Sequence, residues 1–324
     1  MVSAVLFPYA LSLTALARLL RSRQWTTHAP RLAIVTWQCL TASVLAALVS
    51  GGLALLLPSI HLSLDLAQTL RACIVALRAQ YTTPAGTAAG VAGAVLAAAV
   101  ALRMAIALAL TLIRTARWRR RHVAALAVLS SPAPFADACV LTEDAPLVYC
   151  LPGPQRRIVL TTGALRQLNR AELDAVLSHE RAHLQQRHHL VLAWTAALRQ
   201  AFPWSRLARM ANQETIRLVE LLADDAAVRT SDRLDLAAAL LHLSGSRAAP
   251  RFALGAADSN AAQRVRRLID PPRRVSRTRR TSMYLLAGTM LILPVLTLIG
   301  PAVASGNAVF CPIHLAGDSS DITH

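Results

Sequence analysis

Four long stretches of the chain are apolar and almost free of charge. Residues 32–57 and 283–304 carry no charged side chain, and each is long enough to cross a bilayer as a helix. Residues 86–113 form a similar stretch that is rich in Ala and Gly, which allow helices to pack closely. Residues 2–20 form the shortest one. The pattern therefore predicts four transmembrane helices.

Between the third and fourth spans the pattern changes to that of a folded α+β domain. Short apolar runs at 139–141, 147–151 and 157–160 predict strands, and the Pro-Gly-Pro sequence at 152–154 predicts a turn. The fold class expected is mainly α, with four membrane helices and this α+β domain inserted between spans three and four.

Helical periodicity follows the strands. The first helix is predicted to begin at Asn169, a good N-cap, with Glu172 three residues later completing a capping box. Further helices are predicted over 189–202, 204–229 and 231–243, the last one capped by Ser231.

Composition and charge support the membrane assignment and orient the chain. Hydrophobic residues make up 55% of it and the mean hydropathy is +0.44. A net charge of +17 would suit a nucleic-acid-binding protein, but the arginines cluster beside the apolar runs, as at 114–121 and 264–280. We expect a multi-pass cell-membrane protein with both termini outside, the middle domain in the cytoplasm and no direct contact with nucleic acid.

The motif HERAH at residues 179–183 carries the chemistry of the middle domain. Residues four apart share one face of a helix, so the imidazoles of His179 and His183 can converge on one metal ion, with Glu180 beside them. This spacing is typical of the metal-binding helix of a zinc peptidase.

A third metal ligand is predicted on the helix over 204–229. Glu220 offers a carboxylate, and Asp224 lies one turn further on the same face. Histidine ligands usually donate their second ring N–H to a carboxylate or carbonyl group, so Asp224 is the expected outer partner of a histidine. The predicted site is one Zn²⁺ ion bound by His179, His183 and Glu220.

These residues predict peptide hydrolysis. A water molecule fills the fourth position on zinc, and Glu180 accepts its proton and later passes that proton to the departing amine. Arg229 and His242 are candidates for the oxyanion donor, although a surface or salt-bridge role is expected more often for such residues. His188 and His189 are interpreted as polar residues at a helix end rather than further ligands, because on an ideal helix His188 points roughly opposite the ligand face.

Two further segments allow more than one interpretation. The strand over 146–151 is a candidate edge for pairing with an extended substrate, or an ordinary strand of the sheet. Residues 60–85 form an outer loop with an amphipathic stretch, which is either a helix on the membrane or a small sensor surface. Arg103, in the third span, is expected to extend towards the inner interface.

The cysteines follow the predicted topology. Cys139 and Cys150 lie in the cytoplasmic domain and Cys39 within a span, so free thiols are expected there. Cys73 and Cys311 both face the exterior, where they are candidates for a disulfide that ties the tail to the outer loop.

Three features resemble the BlaR/MecR family of membrane zinc metallopeptidases: the HERAH motif, the ExxAD element that begins at Glu220, and the strand segment over 151–162. The four-span layout is similar too, and the metal motifs are also similar to those of HtpX-type membrane peptidases. The resemblance implies a gluzincin-like domain in which His179, His183 and Glu220 bind zinc. It also implies the role of base for Glu180.

The resemblance further implies an antirepressor. Sensors of this family transmit an extracellular β-lactam signal inwards, and the protease then brings about cleavage of a BlaI/MecI-like repressor. This sequence departs from the family at His188, where an acidic residue is common, and at residues 305–324, which are too short for the penicillin-binding sensor domain. Direct acylation by a β-lactam is therefore not expected.

The sequence divides into residues 1–121 with three spans, a zinc metallopeptidase domain over 122–270, and residues 271–324 with a basic anchor, the fourth span and an extracytoplasmic tail. The expected activity is that of a regulatory endopeptidase acting on a cytoplasmic repressor. An HtpX-like quality-control peptidase is the alternative, and a non-catalytic membrane receptor is a further one.

Overall fold

The computed structural model describes most of the chain, in nine segments. The described residues are 2–21, 25–56, 75, 83–132, 137–153, 157–244, 254–255, 261–271 and 275–307. The predicted outer loop lies almost entirely outside these residues, as do Cys73 and Cys311 and the disulfide proposed between them. The three cysteines that lie within them, Cys39, Cys139 and Cys150, are free thiols as predicted.

Helices make up most of the described residues, and five short strands form one sheet. The helices are α1 (Val2–Arg21), α2 (Trp25–His28), α3 (Pro30–Leu56), α4 (Pro84–Leu129), α5 (Thr162–Gln167), α6 (Arg170–Gln185), α7 (His188–Ala201), α8 (Arg206–Ala227), α9 (Arg233–Leu243), α10 (Ala261–Ile269) and α11 (Arg277–Asn307). The strands are β1 (Ser130–Pro132), β2 (Ala138–Leu141), β3 (Val148–Leu151), β4 (Arg157–Thr161) and β5 (Leu254–Gly255).

Three of the described helices, α3, α4 and α11, are long and apolar enough to cross a membrane. Their candidate spans, Pro30–Leu55, Pro84–Leu129 and Arg277–Thr297, contain or overlap three of the four predicted spans. The remaining predicted span lies in α1, where the apolar stretch Ser3–Arg18 is shorter. The chain is therefore a membrane protein by the length and composition of these helices, and the four-span topology stays a prediction.

Helix α4 continues well beyond the predicted third span. Its 46 residues extend about 69 Å at 1.5 Å per residue, which is more than twice a hydrocarbon core of about 30 Å. Its last turns pack on the sheet, where Leu126 joins a buried cluster with Tyr149, and His122 Nε2 lies 2.8 Å from the Tyr149 hydroxyl. One continuous helix thus connects the membrane region to the α+β region.

The sheet has the strand order β1-β2-β4-β3-β5. β2 and β4 are parallel, and the other neighbouring strands are antiparallel. The predicted substrate edge at 146–151 is wrong for the central part of β3, because Tyr149 and Cys150 pair with β4 on one side and with β5 on the other. The sequence pattern of β3 did not reveal its second neighbour, which returns from a distant part of the chain.

Two hydrophobic cores meet near the HERAH helix. The first packs β3 and β4 against α6, α9 and α10. The second packs α7 and α8 against the membrane helices, and it includes Trp37 and Leu40 of α3 together with Leu218 and Leu221 of α8. Helix α8 therefore belongs both to the peptidase motif and to the helical bundle of the membrane region.

The N-cap of helix α9 lies one residue later than predicted. Its N-cap is Asp232, whose carboxylate accepts a hydrogen bond of 2.7 Å from the Leu234 amide. The predicted cap, Ser231, instead directs its hydroxyl towards Ser178, 3.4 Å away. Aspartate and serine are both good N-caps, so sequence preference alone does not choose between neighbours.

Candidate metal centre

Helix α6 holds the HERAH motif in the interior. Its predicted capping box is confirmed: the Asn169 side chain accepts from the Glu172 amide at 2.9 Å, and the Glu172 carboxylate accepts from the Asn169 amide at 2.9 Å. This cap fixes the first turn of the helix. Two and three turns later His179 and His183 lie side by side, with only 1% and 0% of their surface exposed.

The side chains of His179, His183 and Glu220 converge on one point. The two Nε2 atoms lie 3.1 Å apart, and each lies 3.5 Å from one oxygen of the Glu220 carboxylate. Ligand atoms about 2.0–2.1 Å from a tetrahedral zinc ion are separated by roughly 3.3 Å. The three side chains are buried and form a group that could hold one metal ion, and their spacing fits zinc.

Glu180 is next to this group and is fully buried. Its carboxylate faces the Cys150 thiol of β3. Burial raises its pKa to about 8, and nearby His179 limits this rise. The carboxylate of Glu220 behaves differently: burial opposes its ionisation, but His183 and Arg264 outweigh burial and hold its pKa at about 2. At neutral pH the buried Glu180 therefore favours its protonated form, whereas the buried Glu220 favours its ionised form.

Asp224 lies behind His179, as the sequence indicated. Its Oδ1 is 3.0 Å from the Nδ1 atom of His179, on the side of the ring away from Glu220. Burial alone would lower the pKa of His179, but the contacts with Asp224 and Glu220 outweigh it and raise this pKa to about 9. In the metal-free protein His179 therefore favours the protonated form.

Sequence reasoning missed Arg264, which is 1% exposed. Its guanidinium donates to both oxygens of Asp224, at 2.7 and 2.9 Å, and its Nη1 lies 3.0 Å from Glu220 Oε2. The residue stands in a strongly basic stretch that was interpreted as a membrane-flanking run. The sequence does contain a sign that this stretch is partly buried: Val265 and Leu268 form the apolar face of the short helix α10, which packs inwards.

The prediction that His188 lies away from the metal-binding face is wrong. His188 is 2% exposed, and its Nδ1 lies 3.1 Å from the Nδ1 of His183. The prediction assumed that one helix continues through residue 188. Helix α6 instead ends at Gln185, and Arg187 adopts a left-handed conformation (φ 52°, ψ 40°) from which α7 starts in a new direction.

The structure brings neither candidate oxyanion donor to the three converging side chains. His242 lies near the end of α9, is 45% exposed along its side chain, and has its Nδ1 3.4 Å from the Glu172 carboxylate at the start of α6. Arg229 is exposed just beyond α8.

Arg103 of the third span contacts the turn between α7 and α8, where its Nε donates to the Ala201 carbonyl and its guanidinium stacks on Trp204 at 4.8 Å.

Helices that can span a membrane, together with a buried His-His-Glu group on two packed helices, are features typical of membrane metalloproteases. The family comparison agrees: residues 113–271 match the model of peptidase family M48. This segment, just under half of the chain, is similar to peptidase family M48, and it contains α6, α8, α10 and every residue of the group described above. Neither the comparison with curated proteins nor that with solved structures gives a match.

Proposed function

We propose that the protein is a zinc-dependent endopeptidase held in the membrane by its apolar helices. The observation that carries the proposal is the buried convergence of His179, His183 and Glu220 at spacings of 3.1–3.5 Å. A zinc ion bound by such a group supplies a Lewis acid and lowers the pKa of a water ligand towards neutrality. Metal dependence is also what the M48 match supports.

The protein's own side chains would then have separate tasks. Glu220 and the two Nε2 atoms hold the ion, and Asp224 orients His179 from behind. Glu180 accepts the proton of the attacking water and returns it to the amine of the cleaved peptide. Its burial suits this exchange, because a carboxyl group with a pKa raised from its ordinary value both takes up and releases a proton near neutral pH.

The test uses the full chain in detergent, with Glu180→Gln and His183→Ala as variants. We expect about one zinc per chain in the wild type and in Glu180→Gln, and a loss of zinc in His183→Ala. Cleavage of an unfolded protein substrate should be lost in both variants. Wild-type protein that binds no zinc at micromolar free metal would overturn the proposal and favour the non-catalytic receptor.

For the biological substrate, the resemblance of the metal motifs to the BlaR/MecR group supports regulated cleavage of a cytoplasmic repressor.

A second candidate function is quality control of membrane proteins, as in HtpX-type peptidases. The observation that favours it is the packing of α8, which carries Glu220, directly on α3. That packing puts the metal-binding side chains close to the bilayer helices and hence to damaged membrane segments.

A cleavage panel separates the two substrates. Purified wild type would be mixed with any repressor encoded beside its gene and with a destabilised multi-pass membrane protein, with Glu180→Gln as the control in each case. Cleavage of the repressor at one peptide bond supports regulation. Cleavage of the membrane protein at many bonds, with the repressor intact, supports quality control.

We also propose the orientation predicted from the arginine clusters, with both termini outside and residues 122–270 in the cytoplasm. The clusters at 114–121 and 264–280 flank that region on both sides, which supports the assignment. Reporter fusions after residues 57, 130 and 307 test it. The proposal requires that only the fusion after residue 130 report a cytoplasmic location.

A further inference from the structure

We propose that His188 is a positioning residue of the metal centre, which accepts the Nδ1 proton of His183 and so fixes the nitrogen that His183 offers to the metal. The inference rests on the proposed zinc site and adds a residue to it. His188 itself does not touch the ion.

The two ring nitrogens of His183 have different neighbours. Its Nε2 lies 3.1 Å from Nε2 of His179 and 3.5 Å from a Glu220 oxygen, so this atom faces the metal position. Its Nδ1 lies on the other side of the ring, 3.1 Å from Nδ1 of His188. The two rings meet nearly at right angles, with centroids 4.9 Å apart and an interplanar angle of 89°.

This geometry determines where the protons lie once a metal is bound. The lone pair of His183 Nε2 is given to the metal, so the ring carries its proton on Nδ1 and needs an acceptor there. His188 Nδ1 is the atom in reach, and it accepts only if the His188 proton is on Nε2. That Nε2 atom is buried and has no hydrogen-bond partner among the described residues, which suits a site for a buried water.

The backbone explains why this contact exists. An ideal helix turns about 100° per residue, so a residue five positions after His183 would point about 140° away from it. The left-handed Arg187 ends α6 and redirects the chain, so that His188 opens α7 and faces back towards His183. A non-glycine residue in this conformation is uncommon, and here it has an identifiable structural consequence.

The two histidine ligands are therefore supported unequally. His179 has the Asp224 carboxylate behind it, and that carboxylate is fixed by Arg264. Among the residues that the structure describes, His183 has only the imidazole of His188 at its Nδ1. A carboxylate partner raises the basicity of a ligand histidine more than a neutral ring does, so His183 is the ligand whose orientation depends on a single weak hydrogen bond.

The experiment compares three variants of the full chain in detergent. His188→Leu removes the acceptor, and His188→Asn keeps an oxygen near the place of Nδ1. His242→Leu removes an imidazole that lies away from the converging side chains. The zinc dissociation constant is measured by competition with a chelator, and the visible spectrum is recorded after cobalt substitution.

We expect His188→Leu to weaken zinc binding by about 10–100-fold, which is the usual cost of losing such a partner. Its cobalt spectrum should change in position and intensity, because the ring of His183 is free to rotate. His188→Asn should bind zinc within about threefold of the wild type and restore the spectrum, a rescue that side-chain volume alone does not predict. His242→Leu should match the wild type.

Two results would overturn the inference while leaving the zinc site intact. One is a His188→Leu variant whose zinc affinity and cobalt spectrum equal those of the wild type. The other is a His188→Asn variant as impaired as His188→Leu. If His188→Leu does not fold, His188→Gln replaces it. The amide oxygen of glutamine is one bond further from the backbone than Nδ1 of histidine, so it does not take the place of the acceptor. A wild type without zinc would instead remove the proposed function together with this inference.

Discussion

Arg264 of α10 forms a two-point ion pair with Asp224 of α8 in the protein interior, and both residues are 1% exposed. One turn further along α10, Arg267 pairs in the same way with Asp225, the residue that follows Asp224 on α8, at 2.7 and 3.0 Å. The second pair is partly exposed, and the first one also contacts Glu220 and His179. The two pairs are therefore a matched test of the same chemistry inside and outside the metal centre.

Substitution of the inner arginine should cost far more than substitution of the outer one. Arg264→Met leaves the Asp224 carboxylate buried without a cation, and breaking such a pair costs about 3–5 kcal/mol. Arg267→Met removes a less buried pair, in which the Arg267 and Asp225 side chains are 10% and 34% exposed, so the loss should be smaller. Thermal unfolding of the metal-free protein in detergent measures both. Equal losses in the two variants would mean that the interior position of Arg264 has no special role.

Removal of the metal should destabilise the protein. Without a cation, the site holds buried carboxylates that only Arg264 and a protonated His179 can balance, so a chelator should lower the midpoint of thermal unfolding. Zinc should then raise it again, because binding adds about 2.7 kcal/mol to the free energy of unfolding at a free zinc concentration of 100 times the dissociation constant. His183→Ala is the control, and its unfolding should respond to neither chelator nor zinc.

Zinc binding should release a proton at neutral pH. The pKa of His179 is raised to about 9 in the metal-free protein, so the ring is protonated below that pH and must lose its proton before it can bind zinc. Zinc affinity should consequently rise with pH and level off above about pH 9. Calorimetry at pH 7.5 in buffers of different ionisation enthalpy measures the proton directly.

The control for this pH dependence is Asp224→Asn, which removes the charge that favours protonated His179. The dependence of zinc affinity on pH should then move to lower pH. A wild-type protein that releases no proton between pH 7 and 8 would contradict the prediction.

Helices α3 and α4 should not tolerate a larger residue where they cross. At Gly93 an added Cβ would overlap the Gly52 carbonyl and lie 2.6 Å from Leu55 Cβ, so Gly93→Ala should separate the helices and cost about 1–3 kcal/mol. At Gly288 an added Cβ meets nothing within 4 Å, so Gly288→Ala should be neutral or slightly stabilising. Thermal stability in detergent compares the two, and a neutral Gly93→Ala would show that the crossing can relax.

The parts of the site that follow from the sequence are those set by local spacing. His179 and His183 lie one turn apart on a capped helix, and Glu220 and Asp224 repeat that spacing on a second one, so each pair must share a face. Once the two helices pack together, the four side chains meet. The apolar runs of α3, α4 and α11 were equally visible, because membrane spans require long uninterrupted sequences.

The parts that the sequence did not reveal depend on changes of chain direction and on distant contacts. His188 reaches the site through the left-handed backbone of Arg187, which no periodicity indicates. Arg264 comes from a segment 40 residues after Asp224. β5 pairs with β3 across an even longer stretch of the chain, so Cys150 does not lie at the exposed edge that was a candidate.

The packing of helix α8 also ties residues 113–271 to the membrane region. Leu218 and Leu221 share one buried cluster with Trp37 and Leu40 of α3, and Arg217 of the same helix donates to the Thr26 hydroxyl of α2 at 3.2 Å. If residues 113–271 were excised and produced alone, these apolar side chains would be exposed to water, and the helix that carries Glu220 would lose its packing against α3. The M48-like segment is thus not a detachable module, because the helices of the membrane region complete its hydrophobic core.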